Sequence, residues 1–248
     1  MLKDRTGEKH ITNQGYSIKI IEYIGCNNCT IQFEDGLVLK NQYYDSIKKG
    51  QVENPYHPSI FGVGYLGEGM YSQPRRDGVE AIYKTWCGIL NRCYGAKFHS
   101  KHTYENVVLC KDWCNFPNFV RWYIKSYNSE TMRGWHLDKD ILIKGNKVYS
   151  SENCTFVPKE INGLFVKHNK LRGEYPIGVH KQRGRFASQI SIKRVIKHLG
   201  YFDTPEEAFQ AYKIAKEKHI KEMADEWRGQ ITEQTYQALY NYQVEITD

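Results

Sequence analysis

The strongest constraint on the fold is a helix-start signal near the C-terminus. Thr204, Pro205 and Glu207 supply an N-cap hydroxyl, a proline at the first helical position and a carboxylate three residues after the cap. Together they form a capping box, in which the missing N–H of proline costs nothing. Apolar residues at steps of three and four then continue to about Trp227. The sequence therefore predicts a helix from residue 205 to about residue 227.

Three strands are predicted directly before this helix. One opens at Gly178-Val179-His180, a second runs from Arg185 to Ile192, and residues 197–201 supply the third. The alternating residues on the apolar face of the second strand are Phe186, Ser188, Ile190 and Ile192. Because side chains alternate across a strand, Gln189 and Ser191 are expected on its other face. The pattern predicts a three-stranded antiparallel sheet packed on one helix.

This C-terminal segment resembles the ethylene-response-factor type of DNA-binding domain, known from plants and, fused to nucleases, from phages and mobile elements. The resemblance covers about residues 175–225. It is carried by Gly178-Val179, Gly184-Arg185-Phe186-Ala187, Leu199-Gly200-Tyr201-Phe202-Asp203-Thr204, Glu206-Glu207-Ala208 and Ala211-Tyr212. In that family the sheet lies in the major groove, whose width accepts a sheet or a two-stranded ribbon.

The resemblance implies a set of DNA contacts on this sheet. The candidates are His180, Arg183, Arg185, Gln189, Ser191, Lys193, Arg194 and His198. For each basic residue, contact with a phosphate or with solvent is the alternative to reading a base. His198 stands where the family usually has an aromatic residue, and the loop before Gly184 is one residue shorter than in plants. The family's preferred base sequence is therefore not transferred.

Charge also favours a polyanionic partner. The chain of 248 residues has a formal net charge of +7. Its basic residues concentrate between Lys167 and Lys197, where the only acid is Glu174. They are Lys167, Lys170, Arg172, Lys181, Arg183, Arg185, Lys193, Arg194 and Lys197. A solvated charged face is the alternative, but such a concentration is typical of duplex-DNA binding, where phosphates must be neutralised.

The middle of the chain resembles the HNH nuclease superfamily, in a phage-type variant, over about residues 80–165. The motifs that carry the resemblance are Leu137-Asp138-Lys139-Asp140-Ile141-Leu142, Gly145-Asn146-Lys147, Tyr149 to Pro158, Ile161-Asn162 and, upstream, Trp86 to Tyr94. An HNH site is a ββα unit that holds one divalent metal beside a histidine base. The resemblance thus implies Mg²⁺ or another divalent metal as cofactor.

Mapped onto this chain, Asp138 or Asp140 together with Asn162 would hold the metal, and Asn153 would fix the loop. Lys139 stands where the family has its catalytic histidine. His136, two residues before Asp138 on the same strand face, is one candidate for a displaced base. Lys139 is the other, although an exposed lysine is protonated near pH 7 and stabilises charge rather than accepting a proton.

The remaining sequence predicts an α+β protein of five segments. An N-terminal β module (1–54) is indicated by alternating apolar residues and an Asp-Gly turn, and a Gly- and Pro-rich linker or arm (55–78) follows. The HNH-like domain (79–168), the DNA-binding domain (169–228) and a C-terminal tail or helix (229–248) complete the chain. Aromatic residues of the middle segment are expected to form its core.

The cysteines and the hydropathy pattern set further expectations. Seven cysteines without secretory context are expected to be reduced, and zinc is not expected at Cys26 and Cys29, which flank a predicted hairpin turn. No run of about 18 apolar residues and no signal peptide is seen, so the expected location is the cytoplasm of a bacterial host, without a membrane partner. The sequence leaves the identity of any protein partner open.

The leading hypothesis for function is a nicking or homing-type HNH endonuclease of phage or mobile-element character. The first alternative is a catalytically degenerate DNA-binding regulator that keeps the HNH fold. The second alternative is a phage protein that inhibits a host protein.

Overall fold

The structure, a computed structural model, describes residues 3–96, 104–166 and 174–246. The chain forms two compact units, Met1–Glu105 with Lys111–Arg121 and Asn106–Cys110 with Trp122–Asp248. Helices and antiparallel sheets are both present, so the predicted α+β class is confirmed. The predicted middle segment 79–168 contributes to both units.

The first unit begins with a four-stranded antiparallel sheet in which each strand pairs with the next. Its elements are β1 (Lys9–Ile11), β2 (Ser17–Gly25), β3 (Asn28–Phe33), β4 (Val38–Gln42) and the short helix α1 (Tyr44–Lys48). Ile18, Ile20 and Ile31 are fully buried on one face of this sheet. Gly36 takes a φ of 91° in the Asp-Gly turn between β3 and β4, a region that favours glycine. The predicted N-terminal β module is confirmed.

Two longer helices follow in the chain, α2 (Glu80–Tyr94) and α3 (Phe116–Ser126). In the first unit, the indole N–H of Trp86 on α2 donates to the backbone oxygen of Trp113 at 2.7 Å. The predicted linker, 55–78, packs on α2 at Gly64, where an added Cβ would lie 2.7 Å from side-chain atoms of Leu90 and Trp86. Only a glycine lets the backbone approach the helix this closely.

The second unit contains the ββα arrangement that the HNH resemblance implied. Its elements are β5 (Val108–Leu109), β6 (His136–Asp138), β7 (Val148–Tyr149), β8 (Thr155–Val157) and α4 (Lys159–Gly163). Strand β6 pairs antiparallel with β8, α4 follows β8 directly, and β5 pairs parallel with β7. We call β6, the loop 139–154, β8 and α4 the middle hairpin.

The C-terminal part of this unit is the predicted sheet and helix. It consists of β9 (Val179–Gln182), β10 (Arg185–Ile192), β11 (Val195–Phe202), α5 (Pro205–Glu226) and α6 (Glu233–Tyr240). The sheet is antiparallel in the order β11-β10-β9, so β10 is central. The capping box at the start of α5 is formed: the backbone N–H of Glu207 donates to Thr204 Oγ1 at 3.2 Å, and the Glu207 carboxylate accepts from the Thr204 backbone N–H.

A single apolar core joins the middle hairpin to the C-terminal sheet. Its buried members include Ile141, Val157 and Ile161 from the middle hairpin and Ile190, Phe209, Tyr212, Ile220, Met223, Tyr236 and Leu239 from the sheet and the two helices. A buried hydroxyl pair, Thr155 with Thr235 at 2.8 Å, links β8 to α6 within the same core. The segments predicted as 79–168 and 169–228 therefore share one hydrophobic interior in this unit.

Candidate nucleic-acid interface

Both hairpins of the C-terminal sheet are closed by two-residue turns. The pairs Gln182 with Arg185 and Ile192 with Val195 leave only Arg183-Gly184 and Lys193-Arg194 as turn residues. All four have positive φ, at 51° and 82° in the first turn and 49° and 67° in the second. This is the type I′ conformation, in which glycine and asparagine are preferred and other residues are strained. The turn residues 193–194 are thus two cations held at a conformational cost.

The sheet has a covered and an uncovered face. Ser188 and Ile190 of β10 are buried toward α5, which packs on this strand. The intervening residues Gln189 and Ser191 therefore lie on the opposite face, as predicted. We call this opposite side the outer face.

The structure places most predicted contact residues on the outer face or at its ends. From the strand pairing, His180, Arg185, Gln189, Ser191 and His198 lie on the outer face, whereas Arg183, Lys193 and Arg194 lie in the two turns. The predicted roles of these residues in DNA contact stay a prediction. Lys167, Lys170 and Arg172 of the basic stretch lie outside the described residues.

Three outer-face residues were missed by the sequence analysis, Gln182, Ile196 and Tyr201. Ile196 pairs with Ser191, and Tyr201 pairs with Ala187. The placement of Tyr201 depends on a bulge in β11, where the register shifts so that Leu199 has no partner on β10. The bulge reverses the alternation along β11, and the only sequence signal for it is a glycine inside the strand, Gly200.

The outer face is held rigid by contacts across all three strands. The hydroxyl of Tyr201 on β11 donates to Gln182 Oε1 on β9 at 2.9 Å, so the side chain crosses the central strand. Ala187 beneath it is fully buried even though it belongs to this face. The rings of His198 and Tyr201 lie 4.6 Å apart. A small residue under a spanning tyrosine explains why the sheet is uncovered yet ordered.

Some basic residues of the sheet are engaged by ion pairs, and others are available to contact a partner. Arg185 is engaged by Asp203, with its Nη2 at 3.0 Å and its Nε at 3.1 Å from the same carboxylate oxygen. Lys193 has only a long contact with Glu226, at 3.9 Å. Arg194 makes no hydrogen bond or ion pair to the part of the chain that is described. Arg183 likewise makes no ion pair to the described residues, so available cations lie in both turns, with two of them, Lys193 and Arg194, at the β10–β11 end.

The same end of the sheet carries positive charge beneath it, on α5. Burial lowers the pKa of His219, and the nearby cations Lys216, Lys193 and Lys197 lower it further, opposed by Glu222 at 4.0 Å. Burial alone lowers the pKa of Lys216. Burial is thus the main cause of the lowered pKa of His219, and the lysines around this turn add to it.

In the middle hairpin, two of the predicted site residues meet. The amide nitrogen of Asn162 on α4 lies 3.3 Å from Nδ1 of His136 on β6. An amide N–H only donates, so Nδ1 of His136 is the acceptor in this contact. His136 is exposed, and its Nε2 makes no hydrogen bond to the described part of the chain.

Lys139 differs from its expected environment. It was expected to be exposed, and this is wrong: its relative exposure is 7%. Its ammonium donates to both carboxylate oxygens of Asp140, at 2.7 and 2.8 Å, and to the backbone oxygen of Asn146 at 2.8 Å. All three protons of the ammonium are thereby used inside the loop, since a lysine has three donors. Lys139 is built into the loop as a structural cation.

The carboxylate of Asp138 is likewise used by the backbone. Its Oδ1 accepts from the backbone N–H groups of Asp140 at 2.7 Å and Ile141 at 2.8 Å, closing a tight turn after β6. Burial raises the pKa of the Asp138 carboxyl, and these two hydrogen bonds offset that effect only in part. The Asp138 side chain is therefore a largely desolvated hydrogen-bond acceptor that closes this turn.

The loop is fixed chiefly by Asn146. Its amide nitrogen donates to the backbone oxygens of Lys139 and Val148, at 2.8 and 2.7 Å, and its oxygen accepts from the Val148 N–H at 3.1 Å. Asn153, the predicted loop-fixing residue, donates its amide to Asn146 Oδ1 at 3.2 Å. Asn153 therefore fixes the loop indirectly, through its hydrogen bond to Asn146. In the sequence, the motif Gly145-Asn146-Lys147 is the feature that marks this loop.

The predicted metal ligands do not fit a divalent cation in this arrangement. Asp140 is neutralised by Lys139, Asp138 faces the backbone, and Asn162 is bonded to His136. Among the residues that the structure describes, no group of three His, Cys, Asp or Glu side chains is arranged to hold a metal ion. What the arrangement itself offers is a solvent-exposed imidazole oriented by an amide.

No family model matches this chain, and no curated protein or solved structure is significantly similar to it. In the described ranges, none of the helices is long and apolar enough to cross a membrane.

Proposed function

We propose that this chain binds duplex DNA by placing the outer face of its C-terminal sheet in the major groove. The observation that carries the proposal is an uncovered, ordered strand face with unsatisfied polar groups. Gln189 and Ser191 on the central strand make no side-chain hydrogen bond within the described part of the chain. Side chains of this kind on a rigid element are suited to reading base edges, and the groove, about 12 Å wide, accepts a sheet or ribbon.

The two turns supply the contacts to the DNA backbone. Strand β10 has eight residues, so its ends lie roughly 25 Å apart at about 3.3 Å per residue. Arg183 sits in the turn at one end, and Lys193 and Arg194 sit in the turn at the other. Cations on both sides of a groove-binding surface are positioned for phosphates of the two strands. Such contacts fix orientation and supply most of the salt-dependent affinity.

Binding is tested by titrating a labelled duplex with the full chain at several salt concentrations. We expect a steep linear fall of log affinity with log salt concentration, because displaced counterions are released. Arg194→Ala should weaken binding to all sequences and make the slope shallower by about 0.9, the contribution of one phosphate. Gln189→Ala is the matched control, since it removes a neutral outer-face side chain and leaves the slope unchanged. A flat slope for the wild-type chain contradicts the proposal and favours the inhibition of a host protein.

DNA cleavage by the middle hairpin is the second candidate, as the HNH resemblance implies. The observation that favours it is the exposed His136 imidazole oriented by Asn162 at 3.3 Å. The Lys139–Asp140 ion pair opposes it, because it occupies both the position of the missing histidine and one expected ligand. The arrangement therefore agrees better with a DNA-binding regulator that keeps an HNH-like fold.

A plasmid-relaxation assay with Mg²⁺ or Mn²⁺ separates the two candidates. Nicking by the wild type that falls about 10²-fold or more in His136→Ala supports a catalytic histidine, since this is the usual size of a general-base contribution. His57→Ala is the control, because it removes an imidazole of the first unit, outside both the middle hairpin and the outer face. No nicking with either metal, together with salt-sensitive binding, leaves the regulator.

A further inference from the structure

Beyond its polar groups, the outer face carries one large aliphatic side chain. Ile196 is 66% exposed and pairs across the strands with Ser191. Gln189, two residues from Ser191 on β10, pairs with His198. Gln189 and Ile196 are thus diagonal neighbours on the same face, about 7–8 Å apart at this spacing. The outer face therefore presents an exposed aliphatic side chain next to a glutamine side-chain amide that makes no hydrogen bond to the described residues.

Each member of this pair matches one base of an A·T pair. A glutamine amide donates and accepts at once, which suits N7 and N6 of adenine in the major groove. An aliphatic side chain matches the 5-methyl group of thymine, which no other DNA base carries in that groove. Guanine is recognised best by an arginine, and the strand's own arginine, Arg185, is held by Asp203 at 3.0 Å.

We infer that the outer face reads an A·T-containing step, with Gln189 on an adenine and Ile196 on a thymine methyl group. The inference rests on the proposed function and adds the class of base pair to it. The diagonal distance of about 7–8 Å equals roughly two base steps of about 3.4 Å, so the adenine and the thymine lie within two steps of each other. Ser191, between the two, accepts or donates to either base.

The first experiment is selection from a random duplex library by the full chain at moderate salt. We expect the enriched sites to share a short A·T-containing core. Enrichment of sites without A·T pairs overturns the inference, and so does salt-sensitive binding with no sequence preference. Both results leave the proposed function standing, whereas the absence of any salt-sensitive binding overturns both.

The second experiment removes single groups from the DNA. Replacing the thymines of the selected core one at a time by deoxyuridine deletes only the methyl group. At one position we expect a loss of about fourfold, the size of one apolar carbon withdrawn from water. In Ile196→Ala, deoxyuridine at that position should have no further effect. If thymine and deoxyuridine still differ in that variant, Ile196 does not contact the methyl group.

Val195→Ala is the matched control for this variant. Val195 is also exposed, at 61%, but it pairs with Ile192 and lies on the opposite face of the same strand. It should bind thymine and deoxyuridine duplexes as the wild type does. For the adenine, 7-deazaadenine removes one acceptor, and the loss of affinity should be about 2- to 13-fold in the wild type, the size of one hydrogen bond, and vanish in Gln189→Ala. Circular dichroism confirms that each variant is folded.

Discussion

The turn after β6 gives a sharp prediction about Asp138. Asp138→Ala removes the acceptor of two backbone N–H groups, at 2.7 and 2.8 Å. Leaving such donors without a partner costs about 1–3 kcal/mol. Asp138→Asn keeps an oxygen in the same place and exchanges the other oxygen for an amide nitrogen. We therefore expect the alanine variant to be destabilised by about 1–3 kcal/mol and the asparagine variant to be at least as stable as the wild type at pH 7.

The sign of the pH dependence follows from burial. The pKa of Asp138 is raised in the folded state, so its ionised form costs stability. Its stabilising contribution is fully present below the unfolded pKa of about 3.9 and is lost as the pH rises through the raised folded value. Asparagine does not titrate. The stability of Asp138→Asn relative to wild type should therefore increase from pH 4 to pH 7, by about 1.4 kcal/mol for each unit of the pKa shift.

Urea denaturation of wild type and both variants at pH 4 and pH 7 measures these differences. Comparing the two chains at each pH cancels the other titrating groups. A wild type that gains stability over Asp138→Asn as the pH rises would refute the reasoning, since it would mean that the folded chain favours the carboxylate. Equal stability of the alanine and asparagine variants would show that the two backbone hydrogen bonds contribute nothing.

Four further predictions concern stability. Lys139→Met should destabilise the chain by about 1–3 kcal/mol in urea denaturation, because the loop loses charge-assisted hydrogen bonds; unchanged stability would contradict a structural role. Thr204→Ala should cost about 0.5–2 kcal/mol by the same measurement, with Thr204→Ser as a control that keeps the cap. Replacing residues 193–194 by Asn-Gly should raise the melting temperature, because asparagine and glycine suit a type I′ turn. The same change should lower DNA affinity, because it removes two cations. A lower melting temperature would show that the backbone of residues 193–194 is not strained. A fragment of residues 171–228 should have a lower melting temperature than a fragment of residues 122–246, which keeps the whole shared core. Equal melting temperatures of the two fragments by circular dichroism would refute this.

The sequence predicted the elements whose signals are local. The capping box, the Asp-Gly turn and the alternation along residues 185–192 each act within a few residues, and each is found in the structure. The environment of Lys139 was not predictable in this way, because its partner carbonyl belongs to Asn146, in a loop without periodic pattern. The place of Ile196 on the outer face also escaped, because the third strand was predicted to begin at residue 197, two residues after its start in the structure.

Because of the shared core, the segment that resembles an HNH nuclease and the segment that resembles a DNA-binding domain are not independent modules. A nuclease module tethered to a separate DNA reader would have two interiors, whereas here Ile161 of the middle hairpin and Ile190 of the sheet belong to one apolar cluster. Close-packed interiors transmit small displacements, so the sheet and the middle hairpin behave as one body within this unit. The loop held by Lys139 therefore has a structural role that does not require catalysis, because it carries Ile141, which packs in the same core. The Lys139–Asp140 ion pair, in which Lys139 is buried and Asp140 is half exposed, would hold that loop in place, and its loss is expected to weaken the proposed DNA binding through packing rather than through charge.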